Sequence, residues 1–274
     1  MNKEAFVIQT FGSKSSFIGD DAAVVDRLLY SQDAFFENVH FKKSWMTPYQ
    51  IGYKAMIVNI SDAIAMNAQP KYALLTLAFP KNEPKQHIEE LMKGLSDAAA
   101  LYDCEIIGGD TIANIKLDLS ITIVSESKKV LRRHNVKEGD LLAFTGRLGS
   151  VKKDMTRLFR SNKCSSHSRF VRPVLRQEFV SKAFRYINSG LDISDGLYED
   201  SKKLTGTIRR RFKPNKNLPR RVVCSGEEYE MLVSVTPRKL KALKRVAQQT
   251  RTPLTVFAQV VRGKQRSFCK ANHF

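Results

Sequence analysis

Acidic residues carry the chemical signal in this otherwise basic chain. Five short segments place aspartates at expected breaks between elements, beside apolar stretches: Gly19-Asp20-Asp21-Ala22, Ser31-Gln32-Asp33, Asn59-Ile60-Ser61-Asp62, Gly108-Gly109-Asp110-Thr111 and Asp192-Ile193-Ser194-Asp195-Gly196. A sixth, Ser225-Gly226-Glu227-Glu228-Tyr229-Glu230, is rich in glutamate. Taken singly, an Asp-Gly or Gly-Asp pair is more often a turn than a ligand. The recurrence beside apolar elements is what suggests a shared site. Carboxylates gathered in one pocket repel by roughly 4 kcal/mol per close pair at an intermediate dielectric. Only protons or cations hold such a group together at neutral pH. Oxygen donors without histidine or cysteine partners favour hard cations, Mg²⁺ or Mn²⁺. Mg²⁺ bridging carboxylates to phosphates is the usual arrangement for phosphoryl transfer, so a multi-metal site that positions ATP is the expected chemistry.

Other chemistries lack their motifs. The sequence has no GxxxxGK[ST], GxGxxG, GxSxG, HExxH, HRD or DFG pattern. The five histidines, His40, His87, His134, His167 and His273, are not spaced as a metal cluster. Cys104, Cys164, Cys224 and Cys269 are scattered without a CxxC pair, and read as reduced thiols in a reducing compartment.

The elements that must position the aspartates alternate between helix and strand, which predicts an α/β (α+β) protein. Thr47-Pro48 is an N-cap and first helical position, opening a helix to about Met66. Pro84–Asp103 carries Ile88, Leu91, Met92 and Leu95 at helical spacing. Tyr72–Phe79 reads as a buried strand, and Lys116–Val124 as a half-exposed one. Glu105–Ile107 reads as a short strand ending at Gly108-Gly109. In the second half, Val151–Arg160, Pro173–Ile187, Gly196–Leu204 and Arg238–Gln249 read as helices. Strands are expected at Leu141–Thr145, Leu191–Ser194 and Leu254–Val261. The polar stretch before Leu141 suggests two domains of similar character, 1–136 and 137–274.

The charge of +19 admits a nucleic-acid binder. The densest basic run, Thr207–Arg221, contains two prolines and one aromatic, and reads as a solvated or substrate-facing loop rather than a stacking surface. The apolar run Tyr72–Phe79 is too short to span a bilayer, and the N-terminus lacks a secretory pattern, so a cytoplasmic protein is expected.

In order, GDDAAVV (19–25), SQDAFFENVHF (31–41), VNISDAIAMNAQP (58–70), IIGGDT (106–111), LDISDGLYED (191–200) and SGEEYEMLV (225–233) resemble the motif series of the bacterial thiamine-monophosphate kinases. These belong to the aminoimidazole ribonucleotide synthase-like superfamily. The resemblance implies a two-domain fold of mixed sheets flanked by helices, with N-terminal strands of two subunits forming a barrel in a homodimer. It also implies ATP-dependent conversion of thiamine monophosphate to thiamine diphosphate by direct in-line transfer. By position, Asp21, Ser31, Gln32, Asp33, Asp62, Asp110, Asp192 and Asp195 would be Mg²⁺ ligands, with Asp62, Asp110 and Asp195 central to catalysis. Gly109, Asp110, Arg133 and Ser194 would contact ATP, and His40, Glu227 and Phe268 thiamine phosphate. Departures from the pattern are Gln32 for the common threonine, Asn67 for glycine, and GEEYE for GEDYE. The alternatives are another ATP-using enzyme of the same superfamily and a basic, non-catalytic nucleic-acid-binding protein.

Overall fold

The computed structural model describes residues 3–161, 163–206, 209–265 and Cys269. The elements run α1 (Lys3–Gly12), β1 (Ala23–Val25), β2 (Leu28–Phe36), α2 (Pro48–Ala65), β3 (Gln69–Phe79), α3 (Lys85–Ala100), β4 (Glu105–Ala113) and β5 (Asp118–Glu126). They continue with β6 (Leu141–Thr145), α4 (Ser150–Phe159), α5 (Gln177–Ala183), β7 (Ser189–Asp192), α6 (Leu197–Thr205), β8 (Arg210–Pro214), α7 (Arg220–Val223), β9 (Met231–Val235), α8 (Leu240–Gln249) and β10 (Leu254–Arg262).

The first sheet has the order β1-β2-β5-β3-β4. Only its β3/β4 pair is parallel, because α3 carries the chain back across the sheet between those strands. The second sheet, β7-β9-β6-β10-β8, is antiparallel throughout. Alternation along β5 buries Leu119, Ile121 and Ile123 and turns Ser120, Thr122 and Val124 the other way. The buried face packs on α2, which is enclosed on nearly every side. One continuous core joins α2 to residues of the second sheet, including Ala143, Met231, Val233 and Val235. The other face of that sheet has its own core around Phe144, Tyr198, Phe212 and Phe257.

Local chemistry fixes where α2 begins. The Thr47 side chain accepts from the Gln50 amide while Gln50 caps the Thr47 amide, with Pro48 in the first turn. Two glycines let α2 and α3 touch backbone to backbone. A Cβ on Gly94 would fall 2.0 Å from the Tyr49 carbonyl oxygen, and one on Gly52 2.2 Å from that of Leu91. Gly94→Ala is therefore expected to cost about 1–3 kcal/mol of overpacking. A thermal melt should show the midpoint falling by about 2–4 °C for each of those kcal/mol.

Four sequence expectations are corrected. β4 does not stop at Gly108-Gly109 but continues to Ala113. The register against β3 shifts at Ile107, between the Ile106–Ala73 and Gly108–Leu74 pairs. Just beyond it Gly109, at φ 147°, runs so close to β3 that a Cβ there would lie 1.7 Å from the Leu75 carbonyl oxygen. Ser31–Asp33 lie within β2 rather than at a break between elements. Thr207–Arg221 is not simply a loop: Arg210–Pro214 pairs with β10 as an edge strand that buries Phe212 and turns Arg211 and Lys213 outward, and α7 follows. The cysteines are not all free, since the fold brings Cys224 and Cys269 to a Cα separation of 5.4 Å in a disulfide. Among the described residues, no helix is long and apolar enough to cross a membrane.

Candidate active site

Three aspartates from distant segments meet at one end of α2. Asp21 arrives on the loop before β1, Asp62 from the last turns of α2, and Asp192 from the end of β7. Their carboxylate oxygens lie within 4.8 Å of one another. Asp33, on the inward face of β2, adds its charge to Asp62 and Asp192. Its backbone is held there by Asn59 Oδ1, which accepts from the Asp33 amide at 2.9 Å. Ser61 Oγ donates to Asp192 Oδ2 at 2.6 Å and so ties α2 to the second sheet.

This crowding makes all three weaker acids. Burial and the charges of Asp33, Asp192 and Asp21 hold Asp62 well above the usual carboxylate range. Burial, then Asp21, push Asp192 up to about 7 against the opposing Ser61 hydrogen bond. Burial raises Asp21, while Arg133 works the other way. Arg133 Nη2 pairs with Asp21, and its Nε approaches Asp20 at 3.5 Å. Even so, Asp21 Oδ2 and Asp20 Oδ2 are buried without a hydrogen-bond partner. Orphaned buried carboxylate oxygens in an all-oxygen donor set fit a hard divalent cation.

Other expected site residues stand elsewhere. Asp110 is exposed on β4, outside the three-carboxylate cluster, and its Oδ1 accepts from the Thr111 amide. Ser31 is buried on the α2 side of β2, whereas the Gln32 side chain lies on the opposite face, bonded to Ser120 and Thr122. Asp195 pairs with Lys203 at 2.6 Å, and Lys203 also reaches Asp200 at 3.0 Å. Burial pulls the Lys203 ammonium down, but Asp200 and Asp195 outweigh it and hold it above its ordinary value. The Asp200 carboxylate caps the turn by accepting from the Asp195 and Gly196 amides. His40 Nδ1 accepts from the Phe36 amide at 2.9 Å, and its ring stacks on Phe35. Ser194 offers its carbonyl oxygen to the Glu227 amide. Phe268 lies outside the described residues.

The segment Ser225–Glu230 is zipped to residues 193 and 194 by main-chain bonds, with Glu227 and Tyr229 both in left-handed conformations at φ 55° and 51°. Several residues around it give no local signal in the sequence. Lys54, fully buried on α2, donates to Glu227 Oε2 at 2.6 Å. Phe170 covers the Lys54 ammonium at 3.7 Å from its ring centroid. Glu230 accepts from Arg176 twice, from Arg169 and from Thr145 Oγ1, which pins the chain around Phe170. Glu228 accepts from Ser225 Oγ and the Gly149 amide, a structural role, and burial lifts it to about 7. Burial and the charges of Glu227, Asp192, Asp33 and Asp62 raise the Tyr229 phenol well above its ordinary value.

The model of the AIR synthase related protein, N-terminal domain, family matches residues 19–126. The chain is 32% identical over 201 residues to the thiamine-monophosphate kinase of Aquifex aeolicus (strain VF5), covering 70% of this chain and 65% of that one. It is 28% identical over 281 residues to the thiamine-monophosphate kinase of Bacillus subtilis (strain 168), covering 91% and 86%. The solved structure of AaThiL complexed with AMPPCP and TMP superposes with a TM-score of 0.86 at 25% identity, covering 98% of this chain and 96% of that one. Residues 19–126 therefore match the AIR synthase related N-terminal domain, and the chain is similar in sequence and in fold to thiamine-monophosphate kinases.

Proposed function

We propose that this chain transfers the γ-phosphate of ATP to thiamine monophosphate, giving thiamine diphosphate and ADP. The observation that carries this reading is the meeting of Asp21, Asp62 and Asp192 within 4.8 Å, an acidic centre with no use in water but suited to a cation-bound polyphosphate. The relatives bear the name of that activity, and the superposed AaThiL is complexed with an ATP analogue, AMPPCP, and with TMP.

In this reading Asp21, Asp62 and Asp192 hold Mg²⁺, with Ser31, Asp33, Asp110 and Asp195 as further proposed donors. Gln32, whose side chain faces the other way, would join them only through its main-chain carbonyl. Bound Mg²⁺ would neutralise phosphate charge and fix the γ-phosphate for attack. Gly109, Asp110, Arg133 and Ser194 are proposed to contact ATP. Arg133 already sits against the acidic centre, where a guanidinium can serve phosphate oxygens as a fork of donors. His40, Glu227 and Phe268 are proposed for thiamine phosphate. A terminal oxygen of thiamine phosphate forms the new bond to the γ-phosphorus as the bond to the ADP oxygen breaks. That nucleophile is already anionic, so the chain needs no strong general base and contributes orientation and charge compensation. The direct test is ADP release on adding thiamine phosphate, with and without Mg²⁺. Release that needs both is expected, and ATP turnover indifferent to thiamine phosphate would refute the reading.

The same proposal includes a cytoplasmic homodimer built from two units, 1–136 and 137–274. Each sheet lies within one of these ranges. The face of the first sheet turned away from α2 exposes Tyr30, Phe36, Tyr72 and Leu74, with Tyr30 and Tyr72 aligned through Val124 of β5. Light scattering should return twice the 31.1 kDa chain mass, and Leu74→Lys should return the single mass. A monomeric wild-type protein would refute the dimer.

A further inference from the structure

Lys54 is a lysine that nothing outside the protein can reach. It is fully buried in the middle of α2, bonded to Glu227 Oε2 at 2.6 Å. Its ammonium lies over Phe170 at 3.7 Å and near Phe35 at 5.7 Å from the ring centroids. An ammonium so enclosed is too inaccessible to grip a phosphate, and a buried charge needs a strong local reason to stay. Its partner supplies one. Glu227 is itself buried, in a left-handed backbone conformation unusual for a residue with a side chain, and its amide is spent on the Ser194 carbonyl at 2.7 Å. The carboxylate therefore depends on a rigid counter-charge for its direction.

Seven residues along, Ser61 makes the matching contact, donating to Asp192 of the acidic centre at 2.6 Å. Seven residues are two helical turns, so Lys54 and Ser61 share one face of α2, about 10.5 Å apart along its axis. One helix thus sets two carboxylates of the other half of the chain: Asp192 where phosphate chemistry is proposed, and Glu227 where the organic cation is proposed. We propose that Lys54 is a positioning residue that fixes Glu227 at a set distance from the acidic centre, making two turns of α2 the gauge for a phosphorylated organic cation. This rests on the reading of the site given above.

The test is calorimetric titration of the full chain with thiamine phosphate and, separately, with MgATP, alongside steady-state kinetics. In Lys54→Met the affinity for thiamine phosphate and the reciprocal of its KM should fall by about tenfold or more, as expected when one partner of a buried pair is removed. Affinity for MgATP should stay within about threefold of wild type, because the acidic centre keeps its Ser61 anchor. Glu227→Gln should show a loss of similar size, and Lys54→Met/Glu227→Gln should be no worse than Glu227→Gln alone, since Lys54 acts through Glu227. Phe170→Leu keeps both charges and thins the cover over the ammonium, so it tests the same point if Lys54→Met does not fold. It should weaken thiamine phosphate binding in the same direction. Unchanged affinity in Lys54→Met or Phe170→Leu, or additive losses in the double variant, would overturn the proposal. Wild-type protein that binds thiamine phosphate without phosphorylating it would refute the kinase reading alone, and the affinity ratios would still decide the role of Lys54. Wild-type protein that binds none would refute both.

Discussion

Asp62→Asn is expected to cut turnover by about 10²–10³-fold and, in the absence of divalent ions, to make the folded protein more stable than wild type. The two effects have one cause. Asp62 lies among Asp33, Asp192 and Asp21, whose charges, after burial, hold its carboxyl well above the usual range. An amide of the same shape removes one member of a mutually repelling group and keeps the volume. Activity should fall because the oxygen lost is one that would hold the cation, a loss of about 10²–10³-fold on the scale of removing a single preorganised electrostatic group. Stability in chelator at pH 8 should rise, by about 2–4 °C in the thermal midpoint for each kcal/mol of repulsion relieved. Excess Mg²⁺ should reverse the ranking, since ligand binding stabilises wild type by about 2.7 kcal/mol at a hundred times the dissociation constant. Near-normal turnover in Asp62→Asn, or a lower midpoint than wild type in chelator, would contradict this account of the centre.

The second large effect concerns pH. A carboxyl whose value in the fold is raised favours the folded state at low pH, where it is protonated, and loses that contribution as pH climbs through its folded value. For Asp192 the window opens near the ordinary aspartate value of 3.8 and closes at about 7. Asp62 and Asp21 are raised as well and add to the same trend. Metal-free protein should therefore be more stable at pH 5 than at pH 8. Each tenfold weakening of an acid by the fold contributes about 1.4 kcal/mol, an upper bound for charges that titrate together. Mg²⁺ should raise the midpoint strongly at pH 8 and weakly at pH 5, because protons and metal compete for the same oxygens. Melting curves across pH with chelator and with Mg²⁺ check the sign. A stability that grows from pH 5 to 8 without metal would show that the aspartates ionise freely and apart.

Much of this arrangement is legible in the sequence where local rules decide it. Thr47, Pro48 and Gln50 announce α2, and the segments bearing Asp21, Asp62 and Asp192 are recognisable as a set before any of them is brought together. Reading Ser31–Asp33 as a break hides the strand that runs through it; in β2 its period-two alternation puts Ser31 and Asp33 on one face with Leu29 and Phe35 and turns the Gln32 side chain away from the acidic centre. The sequence marks Asp195 but not its ion pair with Lys203, which comes from further along α6. The Lys54–Glu227 pair spans 173 residues, and the clamp of Arg169 and Arg176 on Glu230 spans 61 and 54. Nothing local in those segments encodes the match, which exists only once α2 is enclosed by both halves of the chain. The same holds for Arg210–Pro214, whose basic, proline-bearing sequence argues for a loop until the edge of β10 offers it hydrogen bonds, and for Cys224 and Cys269, 45 residues apart in sequence.

The central claim is that Asp21, Asp62 and Asp192 form one cation-binding centre for a nucleotide. The most direct measurement is anomalous diffraction from crystals grown with Mn²⁺ and a non-hydrolysable ATP analogue. The account predicts at least one Mn²⁺ peak within about 2.0–2.3 Å of oxygens from these aspartates and of a phosphate. Clear nucleotide density with no metal peak among the three carboxylates would contradict it.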